Sequence, residues 1–288
     1  MTDDNDIIIK AWNTVLFDKF KRFKHLLIEG LSAHSEEAFR RHLPPGVGRM
    51  LDVGCGFGDS TIRVARALAP AGEVVGIDCA SNFIAAAERE AEAGGIKNAR
   101  FVVADVQRDA LGGPYDFAFA RFGTMFFSLP GAALRNIRRA LRPGAEFVQI
   151  VWRKREDNPW LYAAEQRVRE IVPVVSHDET DEVHCGPGPF SMSGADMVST
   201  MMQGVGYDRV AFERFDADIC IGRDLSEAIE FAMALGPAGE IIRLAGVEGE
   251  RLRPMVAKVL EDTLAEFMRD DRVWAPSSTW FITARNPG

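Results

Sequence analysis

Apolar and polar positions along the chain fall into two rhythms. From Arg49 onward, short apolar runs ending in an acidic or basic residue alternate with longer amphipathic stretches. The runs at Met50–Val53, Glu73–Ile77, Arg100–Ala104, Tyr115–Ala120 and Glu146–Trp152 predict five strands. The stretches at 60–68, 81–93 and 130–141 predict helices between them, and Arg142-Pro143-Gly144 reads as the turn into the fifth strand. Strands alternating with helices at this spacing imply βαβ units and a parallel sheet. Before this region, residues 7–30 show one apolar stripe through Trp12, Val15, Leu16, Phe20, Phe23, Leu26 and Leu27, and a second short helix is expected over 35–42. After it come helices at 159–172, 193–204, 224–235 and 241–269, with strands at 209–221 and 279–284. The expectation is a doubly wound, seven-stranded, mainly parallel α/β sheet with an antiparallel last strand and a helical cap. Its parts are an N-terminal helical arm or lid (1–45), a ligand-binding core (46–153), a helical insertion or flap (154–192), and the remaining sheet (193–288) carrying a helical insertion (224–278).

Between the first strand and its helix lies Asp52-Val53-Gly54-Cys55-Gly56-Phe57-Gly58-Asp59-Ser60. Glycines at alternate positions allow a sharp backbone turn and close ligand approach. Asp59 or Ser60 is placed to cap the following helix. Asp52, Asp78 and Asp105 each fall at the carboxyl end of an expected strand, so parallel strands in register bring them to one rim beside the turn. Asp78 sits about 20 residues past the glycines, where a dinucleotide fold uses an acid on ribose hydroxyls. Position 59, however, is aspartate where GxGxxG needs glycine, and no lysine follows as a Walker loop needs. An acid there repels pyrophosphate and tolerates a cationic ligand. A nucleoside without phosphates is the better fit.

Charge and cysteine usage narrow the partners. The 288 residues carry a net charge of −8, with 47% hydrophobic and 26% charged residues. No basic patch supports nucleic-acid binding, and no apolar run approaches the ~20 residues of a membrane span. The acidic start, Met1-Thr2-Asp3-Asp4-Asn5-Asp6, is unlike a signal peptide. Cys55, Cys79, Cys185 and Cys220 form no CxxC pair, which suggests free thiols and a cytoplasmic setting.

Leu51-Asp52-Val53-Gly54-Cys55-Gly56-Phe57-Gly58 resembles motif I of class I S-adenosylmethionine-dependent methyltransferases of the small-molecule type. Val74-Val75-Gly76-Ile77-Asp78 is similar to the family's second motif, Phe101-Val102-Val103-Ala104-Asp105-Val106 to its third, and Leu141-Arg142-Pro143-Gly144-Ala145 to the turn before strand five. The resemblance covers residues 49–152 and implies S-adenosyl-L-methionine as cofactor. It implies that Gly54, Cys55 and Gly56 lie under the methionine portion and ribose, with Asp52 organising the turn and the amino group. Asp78 would take the ribose hydroxyls with Cys79 beside it, and Asp105 the adenine amino group, flanked by Val106. Arg121 and Phe122 would stand by the transferring methyl group, and Trp12, with Asn13, would close over the cofactor.

In-line transfer from a sulfonium asks mainly for alignment and desolvation. A base is needed only where the nucleophile must lose a proton, and Glu165 is the candidate on the inserted helix. The Asn/Asp-Pro-Pro-Tyr motif of amide and adenine N-methyltransferases is absent; Arg121-Phe122-Gly123-Thr124-Met125-Phe126-Phe127 stands in its place, suggesting a small, partly apolar or aromatic acceptor. Phe126, Phe127 and Trp152 serve core packing equally well, and Trp152 and Arg153 could line the acceptor side. His177, Asp178, His184 and Cys185 fit no closed zinc site; a solvated acidic loop or a flap over 173–190 accounts for them, and no metal is expected. His25, His34 and His42 read as helix-surface residues. Alternatives are a quinone-like lipid or protein acceptor, or a silent cofactor-binding protein; a homodimer is left open.

Overall fold

The computed structural model describes residues 4–173 and 188–288. Four short helices open the chain: α1 (Asp4–Asn13), α2 (Val15–Arg22), α3 (Lys24–Glu29) and α4 (Ser32–His42). The single helix expected over 7–30 is thus broken twice. At Thr14 the hydroxyl bonds back to Lys10 O, and Asn13 accepts from Ser81 Oγ at 3.0 Å, so side chains compete with the helical ladder. At Phe23 the backbone leaves the helix (φ −103°, ψ 21°) as the ring is driven into the interior against Phe231, 5.3 Å away. A straight helix could not follow the curved surface that these contacts trace.

The core follows as β1 (Arg49–Val53), α5 (Asp59–Leu68), β2 (Glu73–Asp78), α6 (Ser81–Ala93), β3 (Ala99–Val103), β4 (Tyr115–Arg121), α7 (Pro130–Ala140) and β5 (Leu141–Trp152). Then come α8 (Pro159–Arg169), α9 (Ala195–Gly204), β6 (Asp208–Gly222), α10 (Leu225–Ala234), α11 (Pro237–Leu244), α12 (Gly246–Ala265), β7 (Met268–Arg269) and β8 (Arg272–Arg285). The sheet order is β3-β2-β1-β4-β5-β8-β6. β1 to β5 pair in parallel, and β8 runs antiparallel to both β5 and β6. The expected seven-stranded sheet is this path; the two-residue β7 adds only a short pairing to β8.

Alternation along the strands assigns side chains to the two faces. Leu51, Val75, Ala118 and Val151 enter one apolar cluster, while Met50, Val74, Phe117, Phe119 and Ile150 enter the other. Both faces are therefore covered, as a parallel sheet requires. The first cluster continues without a break into the cap, through Trp160, Leu161, Phe231, Ile241, Val256 and Leu260.

Two boundaries differ from the sequence expectation. β8 begins at Arg272 rather than 279, because Pro276-Ser277-Ser278, a turn-like run, lies inside the β6 pairing, opposite Asp218, Ala217 and Asp216. The two hydroxyls are satisfied internally: Ser277 Oγ meets His34 Nε2 at 2.9 Å, and Ser278 Oγ donates to Asp216 at 2.6 Å. The helix expected over 241–269 is two helices, α11 and α12, parted at Gly246 (φ +54°). His34 is a further correction. It is fully buried, not on a helix surface, and burial lowers its pKa to about 4.

Candidate functional site

The turn after β1 is built around Asp52. Its carboxylate is buried and accepts from Ser60 Oγ and Thr61 Oγ1, each at 2.6 Å. Burial pushes this carboxyl up to about 6 against the two hydroxyls. Gly54 N and Cys55 N both donate to Ile77 O, tying the turn to β2. Gly54 takes φ +67°, and a Cβ there would sit 3.2 Å from Gly123 Cα, so the turns after β1 and β4 meet backbone to backbone. Contrary to the sequence expectation, neither Asp59 nor Ser60 caps α5. Gly58 occupies the cap position, the Ser60 hydroxyl turns inward, and Asp59 turns outward to Arg121 at 2.7 Å.

Asp78, at the end of β2, accepts from Gly56 N (3.1 Å) and Ala80 N (2.9 Å). Those two bonds aim the carboxylate across the glycine turn, and burial pushes its pKa up to about 6. Asp105 lies two residues past β3. It accepts from Asn5 Nδ2 at 2.6 Å and Gln107 N at 2.9 Å, and Asn5 Oδ1 in turn accepts from Gln107 and Ser128. The N-terminal arm is therefore tied to the rim by Asn5, a residue that carried no signal in a polar, acidic run. The Cys55 and Cys79 thiols are both pushed up by burial, so they line the site as neutral groups.

One cavity of about 820 Å³ joins these residues to the cap. Gly54, Cys55, Gly56, Asp78, Asp105 and Val106 line its inner end, with Cys79 at the wall. Trp12 closes this end from the arm, its ring edge-on to Phe20 and Phe126 at 5.2 Å each. Asp52 is absent from the lining; it supports the turn from beneath. Midway stand Arg121 and Phe122. Phe122 takes φ +56° and stacks on Trp152 at 4.5 Å. The outer end is walled by Trp160, Leu161, Phe231 and Leu235, together with Glu165. Glu165 is buried, and its Oε1 receives both Arg155 (2.6 Å) and Arg169 (2.7 Å). Arg153, an expected lining residue, instead lies over Trp280 at 4.5 Å and pairs with Asp157. His177, Asp178, His184 and Cys185 lie outside the described residues. Among the described residues no group of three or more His, Cys, Asp or Glu could hold a metal.

Residues 50–144 match the methyltransferase domain family. This stretch, which holds the glycine turn and the rim acids, is similar to a methyltransferase domain. The demethylmenaquinone methyltransferase of Geobacillus stearothermophilus is 29% identical over 137 residues, 42% of this chain and 58% of that protein. The 2-phytyl-1,4-naphtoquinone methyltransferase of Nostoc punctiforme is 31% identical over 134 residues, 44% of this chain and 56% of that protein. The chain thus spans little more than half the length of these curated relatives. Among solved structures, a phosphoethanolamine N-methyltransferase of Haemonchus contortus, in complex with phosphomonomethylethanolamine and S-adenosylhomocysteine, superposes with a TM-score of 0.58 at 16% identity, covering 100% of this chain and 61% of that one. The YcgJ protein of Bacillus subtilis gives 0.56 at 16%, covering 89% and 99%. These likenesses carry the fold of the methyltransferase domain. Among the described residues no helix is long and apolar enough to cross a membrane.

Proposed function

We propose that this chain transfers a methyl group from S-adenosyl-L-methionine to a small, largely apolar or aromatic acceptor. The observation that carries the reading is the single cavity, acidic beside the glycine turn and apolar beneath the cap. The residues present fit the cofactor. Gly54 and Gly56 offer backbone without side chains, Asp78 presents a carboxylate already oriented by two backbone N–H groups, and Trp12 offers a ring face. Gly54, Cys55 and Gly56 would hold the methionine portion, Asp78 the ribose hydroxyls, and Asp105 with Val106 the adenine. When bound, the cofactor supplies an electrophilic methyl group on sulfur. The chain's own part is then to orient the acceptor and exclude water. Phe122, stacked on Trp152, forms an apolar wall at the junction of the two ends, and Arg121 is fixed there by Asp59. Glu165, the candidate base, stands at the outer end with its carboxylate held by Arg155 and Arg169, so it enters the proposal as a positioning residue.

A quinone-like acceptor is the second reading. It is favoured by the names of the curated relatives and by an outer chamber walled with tryptophan, phenylalanine and leucine. The proposed setting is the cytoplasm. Calorimetric titration with S-adenosylhomocysteine and, separately, with NAD tests the cofactor assignment. Binding of the first alone is expected, and binding of NAD alone would overturn it. Methyl transfer to a panel of naphthols, quinols and simple phenols then separates the acceptor readings. Binding without transfer to any of them would favour a silent cofactor-binding protein.

A further inference from the structure

The charges lining the cavity are sorted by position. At the inner end, Asp78 and Asp105 face the cavity, and the neighbouring Asp59 is matched by Arg121. At the outer end the balance reverses. Arg155 and Arg169 both line the cavity, and both close on the same oxygen, Glu165 Oε1. Among the described residues, these two guanidiniums share one carboxylate. Glu165 is 2% exposed and the arginines are 40% and 41% exposed, so the acid is a post beneath two cations that reach past it. Arg155 also lies over the Phe190 ring at 5.3 Å, which fixes it against the wall. Another arginine at this end, Arg243, pairs with Glu240 at 2.7 Å.

Two guanidiniums sharing one carboxylate beside a wall of tryptophan, leucine and phenylalanine keep further N–H donors that an anion can meet. Guanidinium groups held in place present planar, paired donors suited to carboxylate, sulfonate or phosphate oxygens. We infer that the outer chamber is an oxyanion subsite, and that the acceptor is an apolar molecule bearing such a group, gripped by Arg155 and Arg169. This deepens the methyltransferase reading and rests on it for calling the ligand an acceptor. In the proposed arrangement the anionic end of the acceptor is held at the cap. Its apolar body then lies along Trp160 and Phe231, toward Phe122. Glu165 acts as a positioning residue for the two arginines.

The test compares two fluorescent probes that share a ring system: 8-anilinonaphthalene-1-sulfonate and its uncharged parent, N-phenyl-1-naphthylamine. The sulfonate is expected to bind the full-length protein about tenfold more tightly than the parent, a preference that weakens with added salt. In the R155Q/R169Q variant the preference should vanish while affinity for the parent holds, and R155K/R169K should recover part of it. Equal binding of both probes to the wild type, or a preference that survives in R155Q/R169Q, overturns the inference. Should the double variant fail to fold, R155Q alone is read the same way: partial loss supports the subsite, and full retention overturns it. Titration of the same preparations with S-adenosylhomocysteine keeps the two ideas apart. An arginine-dependent sulfonate preference without homocysteine-adduct binding would leave the anion subsite standing and remove the methyltransferase reading.

Discussion

At the scale of single residues, Asp78 is expected to couple pH to stability and, through its proposed place on the ribose, to ligand binding, in opposite directions. Its folded pKa, raised by burial to about 6, lies above the unfolded value of 3.8. Between those values the folded protein holds more protons than the unfolded one, so this residue's contribution to stability falls as pH rises from about 4 to 6. Acceptance of ribose hydroxyls needs the ionised form, so affinity for S-adenosylhomocysteine should fall by about tenfold between pH 7 and pH 5. Calorimetry at the two pH values checks the second claim, and a flat profile would refute it. The first is read as the difference between wild type and Asp78→Asn in thermal melts across the same range. Asp78→Ala should abolish cofactor binding, since it removes the acceptor that Gly56 N and Ala80 N orient. Asp52, also raised to about 6, shares the stability trend but lies beneath the turn, so it should leave the binding profile alone.

At the scale of elements, the parallel core was legible almost strand for strand, because alternating burial on both faces writes a dense apolar signal into β1, β2, β4 and β5. What escaped was set by tertiary contacts. The arm breaks at Thr14 and Phe23, where side chains find partners on α6 and α10 that no local pattern records. β8 hides its first half because Ser277 and Ser278 are buried with partners 60 or more residues away. The rim acids could be placed from strand ends, whereas the partner of Asp59 and the inward turn of Ser60 could not. On α8, Glu165 joins two guanidiniums and supports the outer wall. Glu165→Gln should lower stability by about 1–3 kcal/mol, less than for a fully buried pair because both arginines meet solvent. Urea unfolding measures it, and an unchanged midpoint would show that the two arginines need no post.

At the scale of the whole molecule, core and cap share one apolar cluster, and the arm is fastened to the cap by Arg22 with Glu230 and by His25 with Glu227 at 3.0 Å. Such continuity predicts one cooperative thermal transition, with calorimetric and van't Hoff enthalpies equal. Leu260, fully buried in α12, is the sharper probe. Leu260→Ala should cost about 2–5 kcal/mol and shift the whole transition rather than split off an early one. Two resolved peaks in the calorimeter would show that the cap melts on its own.

The route by which the cap joins the sheet has a consequence for how such proteins diversify. Chain leaves the sheet at Gly222 and returns at Val273, and these two residues are paired partners on neighbouring strands. Neighbouring strands stand roughly 5 Å apart, so the exit and re-entry points form a socket whose width does not depend on what is plugged into it. A lineage can exchange the helices between them, and with them part of the proposed acceptor chamber, while the glycine turn proposed to hold the donor stays untouched. Acceptor choice and donor binding would then evolve as separate traits of one fold. Chimaeras spliced at these two positions are the natural place to look for inherited specificity.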